Sequence, residues 1–148
     1  MKIKVNNIEE TLLLGEKLGK LLFPNMVVTL EGQLGAGKTT FTKGVAKGLG
    51  ITKIVKSPTF TIVREYTGDT NLYHIDAYRL EGTHEDIGFD EYFYSGGVAI
   101  VEWARFIEEF LPTELIKIKI SYISENEREF EIFADSEKFK NVMEGLQC

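Results

Sequence analysis

At 148 residues and 16.8 kDa, with 43% apolar and 11% aromatic content, the chain has the size and material of one ordinary domain. Burying about 70% of the unfolded surface is within its reach, which excludes a mostly disordered protein. A net charge of -6, from 23 acidic and 17 basic residues with only four arginines, repels polyanions and excludes a strongly basic nucleic-acid binder, so any RNA is expected to be held by a partner. The sole cysteine, Cys148, excludes an intrachain disulfide or a cysteine metal cage and suits a reducing cytosol. An N-terminus without an apolar signal core, and no run of about 18 apolar residues, lead us to expect an unprocessed cytoplasmic protein away from membranes.

Along the chain, residues 2–5 alternate like a short strand. Asn7, with Glu10 three residues on, signals a helix start, with Ile8, Leu12, Leu18 and Leu22 roughly in register until Phe23-Pro24-Asn25 ends it. Residues 26–30 form an apolar run of strand length. A glycine-rich turn over 32–37 follows, then a helix with Phe41, Val45 and Leu49 at spacing four and Gly50 as its stop. Strand-like runs 61–66 and 72–76 flank Thr67-Gly68-Asp69-Thr70-Asn71 and predict a hairpin. Thr83 with Asp86 suggests a short capped helix. Residues 98–101 are wholly apolar, as in a strand covered on both faces. A short helical stretch closes at Leu111-Pro112. Ile116, Ile118, Ile120 and Tyr122, then Phe130, Ile132 and Ala134, alternate with polar residues as a half-exposed antiparallel pair, and 136–146 reads as a terminal helix. Together these elements predict a single α/β domain over 1–148, a three-layer α/β/α arrangement around a mixed parallel and antiparallel sheet.

Gly32-Gln33-Leu34-Gly35-Ala36-Gly37-Lys38-Thr39 matches G-x-x-x-x-G-K-[ST] between a predicted strand and a predicted helix, the context a phosphate-binding loop requires. The glycines let the backbone curl so that successive amides and the helix N-terminus face phosphate oxygens. Lys38 supplies a mobile positive charge, the Thr39 hydroxyl a magnesium ligand, and Thr40 completes the set of nucleotide contacts. A nucleoside triphosphate with Mg²⁺ is therefore the expected ligand. Such a loop needs a carboxylate at the end of a neighbouring strand, and Asp76 and Glu102 both qualify; spacing does not divide the work between them. Read alone, His74 is a satisfied strand histidine. No N-K-x-D motif occurs and no D-x-x-G follows a strand, which disfavours a small GTPase. The four scattered arginines, Arg64, Arg79, Arg105 and Arg128, place a small-molecule kinase second, with a nucleotide-dependent binding module as a third reading.

Four strings in order, LEGQLGAGKTTFTKG (30–44), SPTF (57–60), LYHIDAYRL (72–80) and VEW (101–103), closely resemble the TsaE (YjeE) family of bacterial P-loop ATPases. The resemblance spans about residues 7–134. It implies an ATP hydrolase that supports threonylcarbamoylation of tRNA adenosine 37 together with the TsaD and TsaB proteins, sustaining multiple rounds while meeting tRNA only through the complex. It further implies that Lys38 and Thr39 hold phosphate and Mg²⁺, that Glu102 contacts the metal, and that Asp76 is a second acid near it needed for hydrolysis. SPTF resembles a switch in which Thr59 senses the γ-phosphate; without the family it reads equally as a plain loop. The base is expected where Ile8 to Thr11 meets the turn at Glu127-Arg128, though Arg128 reads equally as a surface arginine. Tyr78 and Arg79 match the family's H-x-D-x-Y-R run. Trp103 matches its E-W pair, and a half-buried core aromatic is an equal reading. The acidic stretch 81–91 is a solvated face or, as a secondary reading, a surface for a basic patch on the partner.

Overall fold

A computed structural model describes residues 1–33, 35–56, 62–134 and 136–147. Its frame is one seven-stranded sheet, built from β1 (Lys2–Val5), β2 (Val27–Glu31), β3 (Val63–Tyr66), β4 (Leu72–Asp76), β5 (Val98–Glu102), β6 (Ile116–Tyr122) and β7 (Arg128–Ala134) in the order β1-β7-β6-β2-β5-β4-β3. The four central strands run parallel, β6 beside β2, β2 beside β5 and β5 beside β4; β3, β7 and β1 are added antiparallel at the two sides. Both β6 and β5 flank β2, so the loop leaving β2 emerges at the carboxyl ends of three parallel strands, where open α/β sheets take ligands.

The helices are α1 (Ile8–Leu21), α2 (Lys38–Gly48), α3 (Phe89–Phe93) and α4 (Lys140–Gln147), with 3₁₀ turns at Tyr78–Leu80, Ala104–Phe110 and Glu137–Phe139. One face of the sheet packs Val28, Leu30, Ile100, Ile118 and Phe130 against Leu18, Phe41, Val45 and Val142 from α1, α2 and α4. The other packs Val27, Ile75, Ala99 and Val101 against Phe89, Phe93 and Ile107. This second layer is thin, a five-residue helix and 3₁₀ turns, and it lies chiefly over β2, β5 and β4. Every residue of β5 is consequently buried, whereas β6 alternates buried Ile116, Ile118 and Ile120 with exposed Lys117 and Lys119.

Local signals account for most element boundaries. The Asn7 side chain accepts the Glu10 amide at 2.8 Å, and the Glu10 carboxylate accepts the Asn6 amide at 2.8 Å, so two N-terminal donors of the chain entering α1 are satisfied. Gly50 follows α2 with φ 78°, a left-handed stop. The seam between α1 and α2 departs from the leucine pattern. The buried stripe of α1 is Thr11, Leu14, Gly15, Leu18 and Gly19, and Ile8 is 64% exposed. The cause lies in facing glycines. A Cβ on Gly15 would stand 2.4 Å from the Phe41 carbonyl oxygen, and one on Gly44 2.3 Å from that of Leu12, so backbone meets backbone where side chains ordinarily interpose.

The helix expected at Thr83 begins instead at Phe89. Thr83 donates its hydroxyl to the Leu80 carbonyl, and the Asp86 carboxylate accepts the amides of Gly88 and Phe89. Asp86 thus serves the N-terminus of α3 rather than pairing with Thr83. Thr61 lies outside the described residues, and β3 starts at Val63.

Candidate phosphate-binding site

Contrast between two helix starts defines the site. The first turn of α1 has a side-chain cap and two acids, Glu9 and Glu10; α2 has neither. Its N-cap is Gly37 at φ 103°, and its first three residues are Lys38, Thr39 and Thr40. An N-terminus lacking its own anion or cap presents amide donors and the positive end of the helix dipole to an external anion. The positive φ values of Gly35 (82°) and Gly37 fold the loop back over this end, a geometry that strains any other residue.

The β pattern then delivers the acids. Asp76 and Glu102 are the last residues of adjacent parallel strands and stand opposite each other in register, and Glu102 is likewise opposite Leu30 on β2. Because faces alternate every residue and the two strands are in register, His74, Asp76 and Glu102 all lie on the face of Leu72, Val98 and Ile100, the face on which α2 packs. Lys38 Nζ lies 3.5 Å from Glu102 Oε1, and His74 Nε2 lies 2.5 Å from Glu102 Oε2. Burial pushes the Glu102 carboxyl up, but the hydrogen bond and field of His74, together with Lys38, outweigh it and hold the group below the ordinary carboxylate value. Asp76 moves the other way. Burial and then the neighbouring Glu102 raise it, against the Tyr78 amide that donates to its Oδ1 at 3.0 Å.

His74 is fully buried, and its other ring nitrogen, Nδ1, has no hydrogen-bond partner among the described residues. Its Nε2 engages Glu102, so among the described residues the satisfied-histidine reading holds for half of the ring. The sequence signal was available: His74 precedes Asp76 by two along a strand and must share its face. His74→Leu is expected to lower the unfolding free energy by about 2–3 kcal/mol by stripping a bond from a buried carboxylate, and His74→Gln, which keeps a donor, to cost clearly less. Urea unfolding of both variants checks this; equal losses would assign the cost to packing alone.

Trp103 follows Glu102 with φ 58°, an unfavourable conformation for a bulky residue. Its ring stacks on Phe106 at 5.7 Å and meets the Tyr78 edge at 5.0 Å, with Arg105 at 5.1 Å and Lys38 Nζ at 5.5 Å from its centre. These contacts aim the indole at the lysine, making Trp103 part of the site wall. A cavity of about 590 Å³ opens on this side, bounded by Gly32, Gln33, Lys38, Trp103 and Lys119.

The structure thus brings Gly32, Gln33, Gly35, Ala36, Gly37, Lys38, Thr39 and Thr40 together with Asp76 and Glu102 at one edge of the sheet. Leu34, Thr59 and the SPTF segment lie outside the described residues. Thr11 is buried, its hydroxyl 3.4 Å from the Asn7 carbonyl. Pairing of Val5 with Arg128 sets the start of α1 beside the β6–β7 turn, and the Arg128 guanidinium contacts the carbonyls of Gly35 and Ala36.

A model of the family described as "Threonylcarbamoyl adenosine biosynthesis protein TsaE" matches residues 5–130. The chain belongs to the TsaE family. Among its relatives, a Bacillus subtilis protein named tRNA threonylcarbamoyladenosine biosynthesis protein TsaE is 50% identical over 147 residues, covering 99% of this chain and 93% of that one. One of the same name from Treponema pallidum is 38% identical over 134 residues, covering 89% and 99%. A crystal structure of Bacillus subtilis YdiB superposes on this TsaE-family chain with a TM-score of 0.86 at 44% identity, covering 99% of this chain and 93% of that one. The mixed α/β architecture expected from the sequence is therefore that of a solved relative.

Proposed function

We propose that the chain is an ATPase subunit of the tRNA threonylcarbamoylation machinery, acting in the cytoplasm with TsaD and TsaB and hydrolysing Mg·ATP to sustain repeated modification of adenosine 37. The pathway follows from the names of its relatives. One observation carries the chemistry: the uncapped start of α2, bearing Lys38, faces two carboxylates that end adjacent parallel strands. Among the described residues no helix is long and apolar enough to cross a membrane.

In this reading the loop amides and Lys38 hold the β and γ phosphates. A water oxygen forms a bond to the γ-phosphorus as the bond to the β–γ bridging oxygen breaks, and ADP departs with that electron pair. The Asp76 carboxylate, its proton affinity raised by burial, orients the water and takes its proton. The donors Thr39, Glu102 and Asp76 are hard oxygens, suited to Mg²⁺, which binds through one or two carboxylates plus phosphate oxygens rather than a full protein cage. No cluster of three or more histidine, cysteine or acidic groups able to hold a metal exists among the described residues, in keeping with an ion that arrives on its nucleotide. When bound, the ion neutralises charge on the phosphates.

Two arginines beside the loop are already engaged. Arg105 lies over the Trp103 and Phe106 rings, and Arg128 is bonded to backbone oxygens. Neither is committed to transition-state charge on the γ-phosphoryl group, so hydrolysis alone is expected to be slow until TsaD–TsaB docks. With a net charge of -6, tRNA contact falls to those partners. Phosphate release from Mg·ATP should rise at least about tenfold when TsaD–TsaB is added, and Glu102→Ala should abolish the gain. A full rate in isolation would contradict the docking requirement. Absence of any Mg·ATP association at millimolar nucleotide, with or without the partners, would overturn the reading as a whole.

A further inference from the structure

Arg128 opens β7, and backbone oxygens occupy its guanidinium. Nε donates to the Ala36 carbonyl at 3.1 Å and Nη2 to the Gly35 carbonyl at 3.2 Å, while Nη1 donates to the carbonyls of Ser124, Glu125 and Glu127 at 2.6, 3.2 and 2.9 Å. The group also lies over the Tyr122 ring, 4.5 Å from its centre. Among the described residues it forms no ion pair with a carboxylate, so its charge stands unneutralised beside the loop. Three of its five bonds fix it to the β6–β7 hairpin, and the other two reach across to the turn before α2.

We propose that Arg128 is a positioning residue for the phosphate loop, bridging the hairpin to the Gly35 and Ala36 carbonyls and thereby setting the direction of the loop amides. Each peptide unit is planar, with its C=O and N–H pointing opposite ways. Holding the Gly35 carbonyl therefore turns the Ala36 amide away from Arg128, where it closes the loop on the Gln33 carbonyl at 2.9 Å. Holding the Ala36 carbonyl does the same to the Gly37 amide, at the mouth of α2. Both glycines beside these bonds have positive φ and many alternative conformations, so a loop of this composition needs an external anchor to keep one of them. The guanidinium supplies that anchor and leaves a positive charge behind the loop, in favour of an anion on its opposite side.

This inference rests on the loop being a triphosphate site, and it differs from a contact between Arg128 and the base. Calorimetric titration with Mg·ATP and with magnesium tripolyphosphate, which has no base, separates the two. Arg128→Ala should weaken both ligands by a similar factor, about tenfold. Arg128→Lys should recover part of the loss, and millimolar guanidinium ion added to Arg128→Ala should recover part as well; loss of general packing predicts neither. Amide exchange across residues 32–40 should quicken in the alanine variant before nucleotide is added. A loss confined to ATP, with tripolyphosphate affinity unchanged, would overturn the proposal in favour of a base contact, and unchanged affinity for both would overturn it outright. Wild-type protein that binds neither ligand would instead defeat the nucleotide reading, and this inference with it.

Discussion

Lys38→Ala is expected to weaken Mg·ATP binding at least a hundredfold, corresponding to about 3 kcal/mol. The lysine directs its ammonium into the site: Nζ lies 3.5 Å from Glu102 and 5.5 Å from the Trp103 ring centre. Its removal deletes charge-assisted bonds to phosphate and leaves the buried Glu102 carboxylate facing the incoming anion without a nearby ammonium. Trp103 is the only tryptophan, so its fluorescence reports the event directly. Nucleotide should change the emission of the wild-type protein and leave that of the variant flat at concentrations saturating the former. Circular dichroism matched to wild type establishes that the fold is intact. A variant that binds Mg·ATP as tightly as wild type would show that the phosphates lie elsewhere.

The second large effect concerns stability. Gly44→Ala should lower the unfolding free energy by about 3 kcal/mol and Tm by roughly 10 °C, although alanine favours helices over glycine. At this position intrinsic propensity loses to geometry. The new methyl would stand 2.3 Å from the Leu12 carbonyl oxygen and 3.1 Å from the Gly15 Cα, both backbone atoms that no rotamer change can move aside. Relief requires α1 to separate from α2, opening the packed face of Leu18, Phe41 and Val45. Gly82→Ala, where among the described residues nothing beyond the glycine and its chain neighbours lies within 4 Å of the new Cβ, offers a comparison in which the strain of a φ of 72° dominates. Differential scanning calorimetry distinguishes the two; similar shifts would mean that the helices yield easily.

Legibility in the sequence followed the range of the interactions. The loop, the Asn7 cap, the Gly50 stop and the wholly apolar β5 depend on near neighbours or on burial of one strand, and they read directly from the chain. The placement of Asp76 and Glu102 at strand ends was also legible, because each closes an apolar run of strand length. Ile8 and Leu12 misled, since helical spacing locates an apolar stripe but gives no sign that glycines on two helices can replace it with direct backbone contact. The link from His74 to Glu102 spans 28 residues and exists only because β4 and β5 are adjacent in one register. The Arg128 bonds depend on the hairpin lying beside β2, a fact of sheet order that no local pattern encodes.

The strand order also has a bearing on biosynthesis. A nascent chain emits β2 and the loop early, yet the flanking strands β5 and β6 come much later, and the Arg128 that touches Ala36 lies 92 residues downstream. β1 waits longer still, its partner being β7. Such distant pairings close slowly and leave unpaired edges until they do. Throughout most of translation the polypeptide therefore displays the glycine-rich loop without the strands that frame it, and a product cut short before the last hairpin would lack both β7 and the Arg128 contacts to the loop.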